Sequence, residues 1–272
     1  MNPVTAFKKP ERKPNSEGNF YQNSANTIGP GMNERIQRLR KKSVEAEHTL
    51  SIERALLETA FYKENYGKSS IPILRAGVFL DLCQKKELYL GEDELIVGER
   101  GPRPKCVPTF PELTCHSVED FQVLNTRDMQ PYTISEKDIE TYAKKVIPYW
   151  EGKTQRERIF SHVPKAWKDA YEAGLFTEFM EQRAPGHTAL DGKIYQKGLL
   201  DFKKDIADHL NSLDYLNDPE ATDKADQLTA MDISCDAAIV FAERHADLAE
   251  ALAKKEKNSQ RAEELKQIAE VC

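Results

Sequence analysis

With 272 residues, 39% hydrophobic and 31% charged, the chain is long enough for one large domain or two small ones, yet it must turn an unusual share of charged surface to water or a partner. Its net charge of -6, with both signs interspersed, gives no footprint for nucleic acid. The longest apolar candidate, Ile71 to Leu82, is broken by Pro72, Arg75 and Asp81. It therefore cannot span a bilayer, and the first residues lack the apolar core of a signal peptide, so the expected location is the cytoplasm. The five cysteines are odd in number and widely spaced, as expected of reduced thiols.

Residues 1–31 are rich in Pro, Asn, Ser, Gly and Lys without apolar periodicity, and are expected to be a disordered extension ahead of a domain spanning 32–272. A charged helix is expected over Asn33 to Glu47, with Ile36 and Leu39 on one face. The basic residues Arg38, Arg40, Lys41 and Lys42 read as its solvated side, because acidic residues follow closely. Ser51 can cap a second helix carrying Ile52, Ala55, Leu56, Ala60 and Phe61 at helical spacing. A third helix runs from Pro72 to Lys85.

Glu94-Leu-Ile-Val-Gly98 then reads as a strand or extended segment feeding a turn, and the proline-rich stretch Gly101 to Cys115 as an ordered loop without a regular element. Ser117 with Asp120, Ser135 with Asp138, and Thr154 with Glu157 fit capping boxes, so several short helices are expected here. The tail is helical: Leu199 to Leu213, then Lys224 to Lys254 with Leu228, Met231, Cys235, Ala238, Ile239 and Ala242 on one side, then Gln260 to Val271. The pattern stops at Cys272 without a capping glycine, a proline or a polar tail, and so reads as a truncated chain.

The most unusual string is Phe176-Thr-Glu-Phe-Met-Glu-Gln-Arg-Ala-Pro-Gly-His-Thr188. Pro185-Gly186 forces a sharp change of direction and holds His187 in one orientation, where it can relay a proton or instead bond to the backbone as a structural histidine. Glu178, Glu181 and Arg183 can position a polar substrate or brace the loop, and Phe176 and Phe179 can be core or substrate wall. Cys106 and Cys115-His116 match no zinc spacing, so no metal site is expected. There is no phosphate loop, dinucleotide fingerprint or nucleophile elbow. His209 and His245 fall on charged helices and are expected in solvent, and Cys235 in the core.

These residues carry a resemblance. Ser51-Ile-Glu-Arg-Ala55, Glu94-Leu-Ile-Val-Gly-Glu99, Pro108-Thr-Phe-Pro-Glu112, the Phe176 to Thr188 string, Tyr195-Gln-Lys-Gly198 and Ile268-Ala-Glu270 resemble the N-terminal region of glycyl radical enzymes, the pyruvate formate-lyase superfamily, and within it the hydroxyproline dehydratases. The resemblance runs from about Met32 to the last residue. It implies a mainly α fold: the N-terminal helical portion of an α/β barrel, truncated before most of that barrel.

It also implies a lyase that is inactive in this form. The radical glycine, the catalytic cysteine and the carboxylate base would lie elsewhere, and none of the five cysteines stands in the family's cysteine motif. No cofactor is expected bound here. A separate radical S-adenosylmethionine activating enzyme would install the glycyl radical. The implied partners are a small-molecule substrate, the remainder of the enzyme chain and a second copy. On this resemblance His187 faces the departing hydroxyl, Phe179 packs on the substrate ring, and Glu181, Arg183 and Gly186 support the loop. Elimination of sulfite from a hydroxysulfonate, dehydration of a diol, and a non-catalytic fragment or split subunit are the alternatives. Alone, the chain is expected to fold poorly and to expose an apolar patch.

Overall fold

A computed structural model of the chain describes residues 33–176 and 190–272. The chain divides into two units, 1–46 and 47–272. The expected disordered stretch 1–31 lies outside the described residues. What is described of the first unit is α1 (Glu34–Glu45), whose N-cap Asn33 accepts from the Ile36 amide at 2.9 Å. That bond satisfies one of the amides every helix start leaves orphaned.

In the second unit the order is β1 (Thr49–Ser51), α2 (Glu53–Asn65), α3 (Ile71–Lys85), β2 (Cys106–Pro108), α4 (Val118–Thr126), α5 (Glu136–Lys145), α6 (Ile147–Trp150), α7 (Gln155–His162) and α8 (Lys165–Glu172). A 3-10 turn at Asp191–Tyr195 precedes α9 (Leu199–Asn211), α10 (Ala221–Ala253) and α11 (Ser259–Val271). The chain is mainly α, as expected. Among the described residues, no helix is long and apolar enough to cross a membrane.

Local chemistry sets most of these ends. Ser117 and Thr154 form complete capping boxes with Asp120 and Glu157. Ser135 caps the Asp138 amide at 3.1 Å without the return bond to its own amide. The N-cap of α2 is Ile52 rather than the expected Ser51, and no side chain caps that position, although the Glu53 amide donates to Ser51 Oγ at 3.3 Å.

Three further expectations are corrected. Gly101 to Cys115 is not free of regular structure, because β2 forms there and pairs in parallel with β1, Thr49 with Cys106 and Ser51 with Pro108. Of the two readings of residues 94–98, strand or extended segment, the strand does not form, and the chain bends at Leu95 and Ile96. In α2, Glu58 and Thr59 are buried while Ala60 is exposed, since the polar pair has partners inside. On α10, His245 is buried at 2% exposure instead of solvated, whereas Met231 is 51% exposed.

The main core joins α2, α4, α5 and α6 through Ile52, Ala55, Phe121, Tyr142, Val146 and Trp150. Against α3 lies α10, whose buried residues include the small side chains Ala230, Cys235 and Ala237, while its Ala249 packs with Leu265 and Ile268 of α11. Arg244 of α10 then closes the C-terminal end of α3, donating to the carbonyls of Cys83 at 2.6 Å and Lys86 at 2.9 Å. A helix end leaves such carbonyls without intrahelical donors. All five cysteines are free thiols, and Cys235 is in the core, as expected.

Candidate functional site

The residues singled out from the sequence, His187, Phe179, Glu181, Arg183 and Gly186, lie outside the described residues, as does most of their string. Both ends of that segment are described. On the N-terminal side, Phe176 packs edge-on against Trp167 at 4.8 Å between centroids. Trp167 stacks parallel to Tyr171 at 5.8 Å, and Phe160 meets both rings edge-on. Phe176 is half-buried here.

The guanidinium of Arg156 sits 4.5 Å over the Phe160 ring, and its Nη2 donates to the Tyr171 hydroxyl at 2.9 Å. Cation–ring and ring–ring contacts of this kind each contribute about 1 kcal/mol. Together they fix where the segment departs. On the far side, Leu190 at φ 67° takes the left-handed conformation and leads into the 3-10 turn.

A second polar cluster was not singled out from the sequence. Arg54 on α2 donates through Nη2 to Glu112 Oε1 at 2.7 Å and through Nη1 to Glu112 Oε2 at 3.0 Å. The same Nη1 donates to Glu58 Oε2 at 2.6 Å and to the Thr109 carbonyl at 3.3 Å. The guanidinium also lies 4.2 Å over the Phe110 ring. The parallel pairing of β1 and β2 brings these residues together, because Ser51 opposite Pro108 sets α2 beside the 109–112 loop. Two of the stretches that carry the family resemblance therefore meet through this ion pair. Its signal in the sequence was the presence of Arg54 and Glu112 within those stretches.

The electrostatics follow from burial. Glu58 is only 2% exposed. Desolvation first, and then the neighbouring Glu112 carboxylate, push its pKa up to about 9 against the pull of Arg54. Burial alone would lower the Arg54 pKa, but its bonds to the two carboxylates raise it. The cluster lines a groove of about 1840 Å³ whose apolar wall includes Tyr66, Ile71 and Phe79. These three side chains are exposed.

The two regions are joined through backbone. The carbonyls of Glu112 and Leu113 accept from the amides of Gln155 at 2.9 Å and Arg156 at 3.1 Å. They thereby satisfy the first turn of α7 and place Arg156 under the aromatic anchor. Among the described residues no cluster of His, Cys, Asp and Glu can hold a metal ion.

Comparison with known proteins bears on what this frame belongs to. Residues 32–272 match the pyruvate formate lyase-like family. The chain is 43% identical over 242 residues to trans-4-hydroxy-L-proline dehydratase of Clostridioides difficile, covering 89% of this chain and 31% of that protein. It is 29% identical to isethionate sulfite-lyase of Desulfovibrio desulfuricans, covering 87% and 30%. The crystal structure of the hydroxyproline dehydratase of Clostridioides difficile, with trans-4-hydroxy-L-proline bound, superposes with a TM-score of 0.84 over 89% of this chain and 31% of its own. The B12-independent glycerol dehydratase of Clostridium butyricum superposes with a TM-score of 0.81 at 28% identity over the same shares.

This chain thus spans about 31% of the length of such relatives, and the fold is that part of a glycyl radical enzyme barrel. The chain belongs to the pyruvate formate lyase-like family of glycyl radical enzymes.

Proposed function

We propose that this chain is the N-terminal part, from residue 32, of a glycyl radical C–O lyase that removes water from trans-4-hydroxy-L-proline. The observation that supports this most is the 43% identity to the hydroxyproline dehydratase across 89% of the chain, against 29% to the sulfite-lyase. In this reading the radical glycine and the catalytic cysteine reside in the remainder of the enzyme, and neither is held by the residues described here. When installed by its activating enzyme, the radical supplies hydrogen abstraction from the substrate. The assembled enzyme works without oxygen, in the cytoplasm, as a homodimer, and these 272 residues are inactive alone.

The chain's own contribution is one wall of the pocket. His187, held by the Pro185-Gly186 turn, donates a proton to the departing hydroxyl, which is a poor leaving group unless protonated. Phe179 lies on the substrate ring and keeps water from it. Glu181, Arg183 and Gly186 brace the loop, and the Arg156 aromatic anchor fixes where that loop starts.

The test uses the activated enzyme carrying this chain, prepared without oxygen, with and without His187→Ala. Turnover of trans-4-hydroxy-L-proline is expected to fall about 100-fold or more, the range of general acid catalysis, with the glycyl radical signal retained. Unchanged turnover would remove His187 from the mechanism. Radical formation with turnover of isethionate or glycerol instead would keep the family and move the substrate.

A further inference from the structure

We propose that Glu58 and Glu112 hold a single proton between them beneath Arg54, so that the joint between α2 and the 109–112 loop is a clasp that loosens as pH rises. Geometry carries this. One guanidinium nitrogen, Arg54 Nη1, contacts Glu58 Oε2 at 2.6 Å and Glu112 Oε2 at 3.0 Å. Two carboxylate oxygens on one nitrogen are near neighbours, and one cation cannot neutralise both charges. Arg54 is committed to Glu112 by a two-point contact, so the excess charge falls on Glu58, the more deeply buried carboxyl. A carboxyl in that position is stable as the neutral acid, donating its proton to Glu112. The upward push on Glu58 from burial and from Glu112 agrees with this.

The other charged or titratable groups facing the clasp do not change this arithmetic. Tyr62, one turn along α2, has its own pKa pushed up to about 12 by burial and by Glu58, so it is neutral through the relevant range. Arg75 of α3, Tyr149 of α6, Lys153, and Arg158 of α7 line the same groove. The charged groups that act on Glu58 are Arg54 and Glu112.

The direction of the pH effect follows from linkage. The folded-state pKa of Glu58 lies above the value of an unfolded chain, so the folded state binds the extra proton between about 4.5 and about 9. Stability from the clasp is complete below that window and is lost as pH rises through it. One proton bound in one state and not the other changes the folding equilibrium constant about tenfold per pH unit.

Glu58→Gln separates this from ordinary packing, because the amide can accept from Arg54 and donate to Glu112 without titrating. Chemical unfolding of the 272-residue chain and of this variant would be compared at pH 5, 6, 7 and 8. The expected result is that the ratio of their folding constants shifts by up to about tenfold per unit, with wild type losing ground as pH rises. The infrared band of a protonated carboxyl should be present at pH 7 in wild type and absent in Glu58→Gln. In Glu112→Gln the push from Glu112 is lost while burial remains, so the band should disappear at a lower pH than in wild type. A pH-independent ratio, or no such band in wild type, overturns the proposal. Where the isolated chain lacks the near-ultraviolet signal of a packed Trp150, the infrared comparison is made on the enzyme carrying this chain, and absence of the band there overturns the proposal. If Glu58→Gln fails to fold, the infrared comparison of wild type with Glu112→Gln decides alone.

Discussion

The indole nitrogen of Trp150 donates to the hydroxyl of Thr59 at 2.8 Å across 91 residues of chain, and the same hydroxyl donates to the Ala55 carbonyl at 2.5 Å. This relay lets α6 cover a polar step in α2 without leaving a buried group unsatisfied. Thr59→Val keeps the shape and strands the indole N–H, so it should cost about 1–3 kcal/mol. Urea unfolding should show a lower midpoint with an unchanged slope, since the area exposed does not change.

Arg54 stands between two carboxyls, and removing it leaves Glu112 without its cation and Glu58 without its hydrogen-bond donor. Arg54→Met should destabilise the fold by about 3 kcal/mol, the low end for breaking a buried ion pair, because the residue retains some exposure. Arg54→Lys should recover only part of that loss. A point charge cannot reproduce the two-point contact with Glu112 while also bonding Glu58. The same unfolding series read in guanidinium-free buffer checks both variants.

Gly101 is buried where the chain turns back into β2, and a Cβ there would meet the Cys106 carbonyl oxygen at 2.5 Å. The obstacle is backbone, which cannot swing aside. Gly101→Ala should therefore disturb the β1–β2 pairing and cost about 1–3 kcal/mol by overpacking. Hydrogen exchange should show this as faster loss of protection at the Thr49 amide, which bonds to the Lys105 carbonyl at 3.1 Å.

Glu157 behaves oppositely to Glu58. Burial alone would raise its pKa, but the Thr154 hydroxyl and the amides of Gly152 and Thr154 hold it below the ordinary carboxylate value. A depressed carboxylate contributes stability above its unfolded-state pKa and loses it as pH falls through the folded-state value. Glu157→Gln should therefore weaken the start of α7 at neutral pH, with a cost of about 1 kcal/mol typical of a lost cap. The difference from wild type should vanish in acid, which thermal unfolding at pH 7 and pH 3 would show.

What was legible in the sequence was local. Ser117, Ser135 and Thr154 announced three helix starts because a cap is a contact between residues three apart. Strands β1 and β2 were not legible. Each is only three residues long, too short for alternation to register, and their pairing joins distant parts of the chain. Arg54 and Glu112 stood in the stretches that carry the family resemblance, but their contact depends on that unseen pairing. His245 had a signal that went unused: Ala238, Ala242 and Ala249 lie at helical spacing around it and mark the face that packs inward. Its Nδ1 lies 2.8 Å from the Phe241 carbonyl, which satisfies the ring within its own helix.

The central claim is that residues 32–272 form the histidine-bearing wall of a pocket for trans-4-hydroxy-L-proline. The most direct measurement grafts this segment in place of the matching 31% of the Clostridioides difficile dehydratase. The chimera would be activated without oxygen, and turnover of trans-4-hydroxy-L-proline, isethionate and glycerol compared with and without His187→Ala and Phe179→Ala. The expected result is a glycyl radical with turnover of trans-4-hydroxy-L-proline alone, lost on either substitution while the radical persists. A chimera that forms the radical but dehydrates hydroxyproline equally well with both residues replaced would contradict the claim.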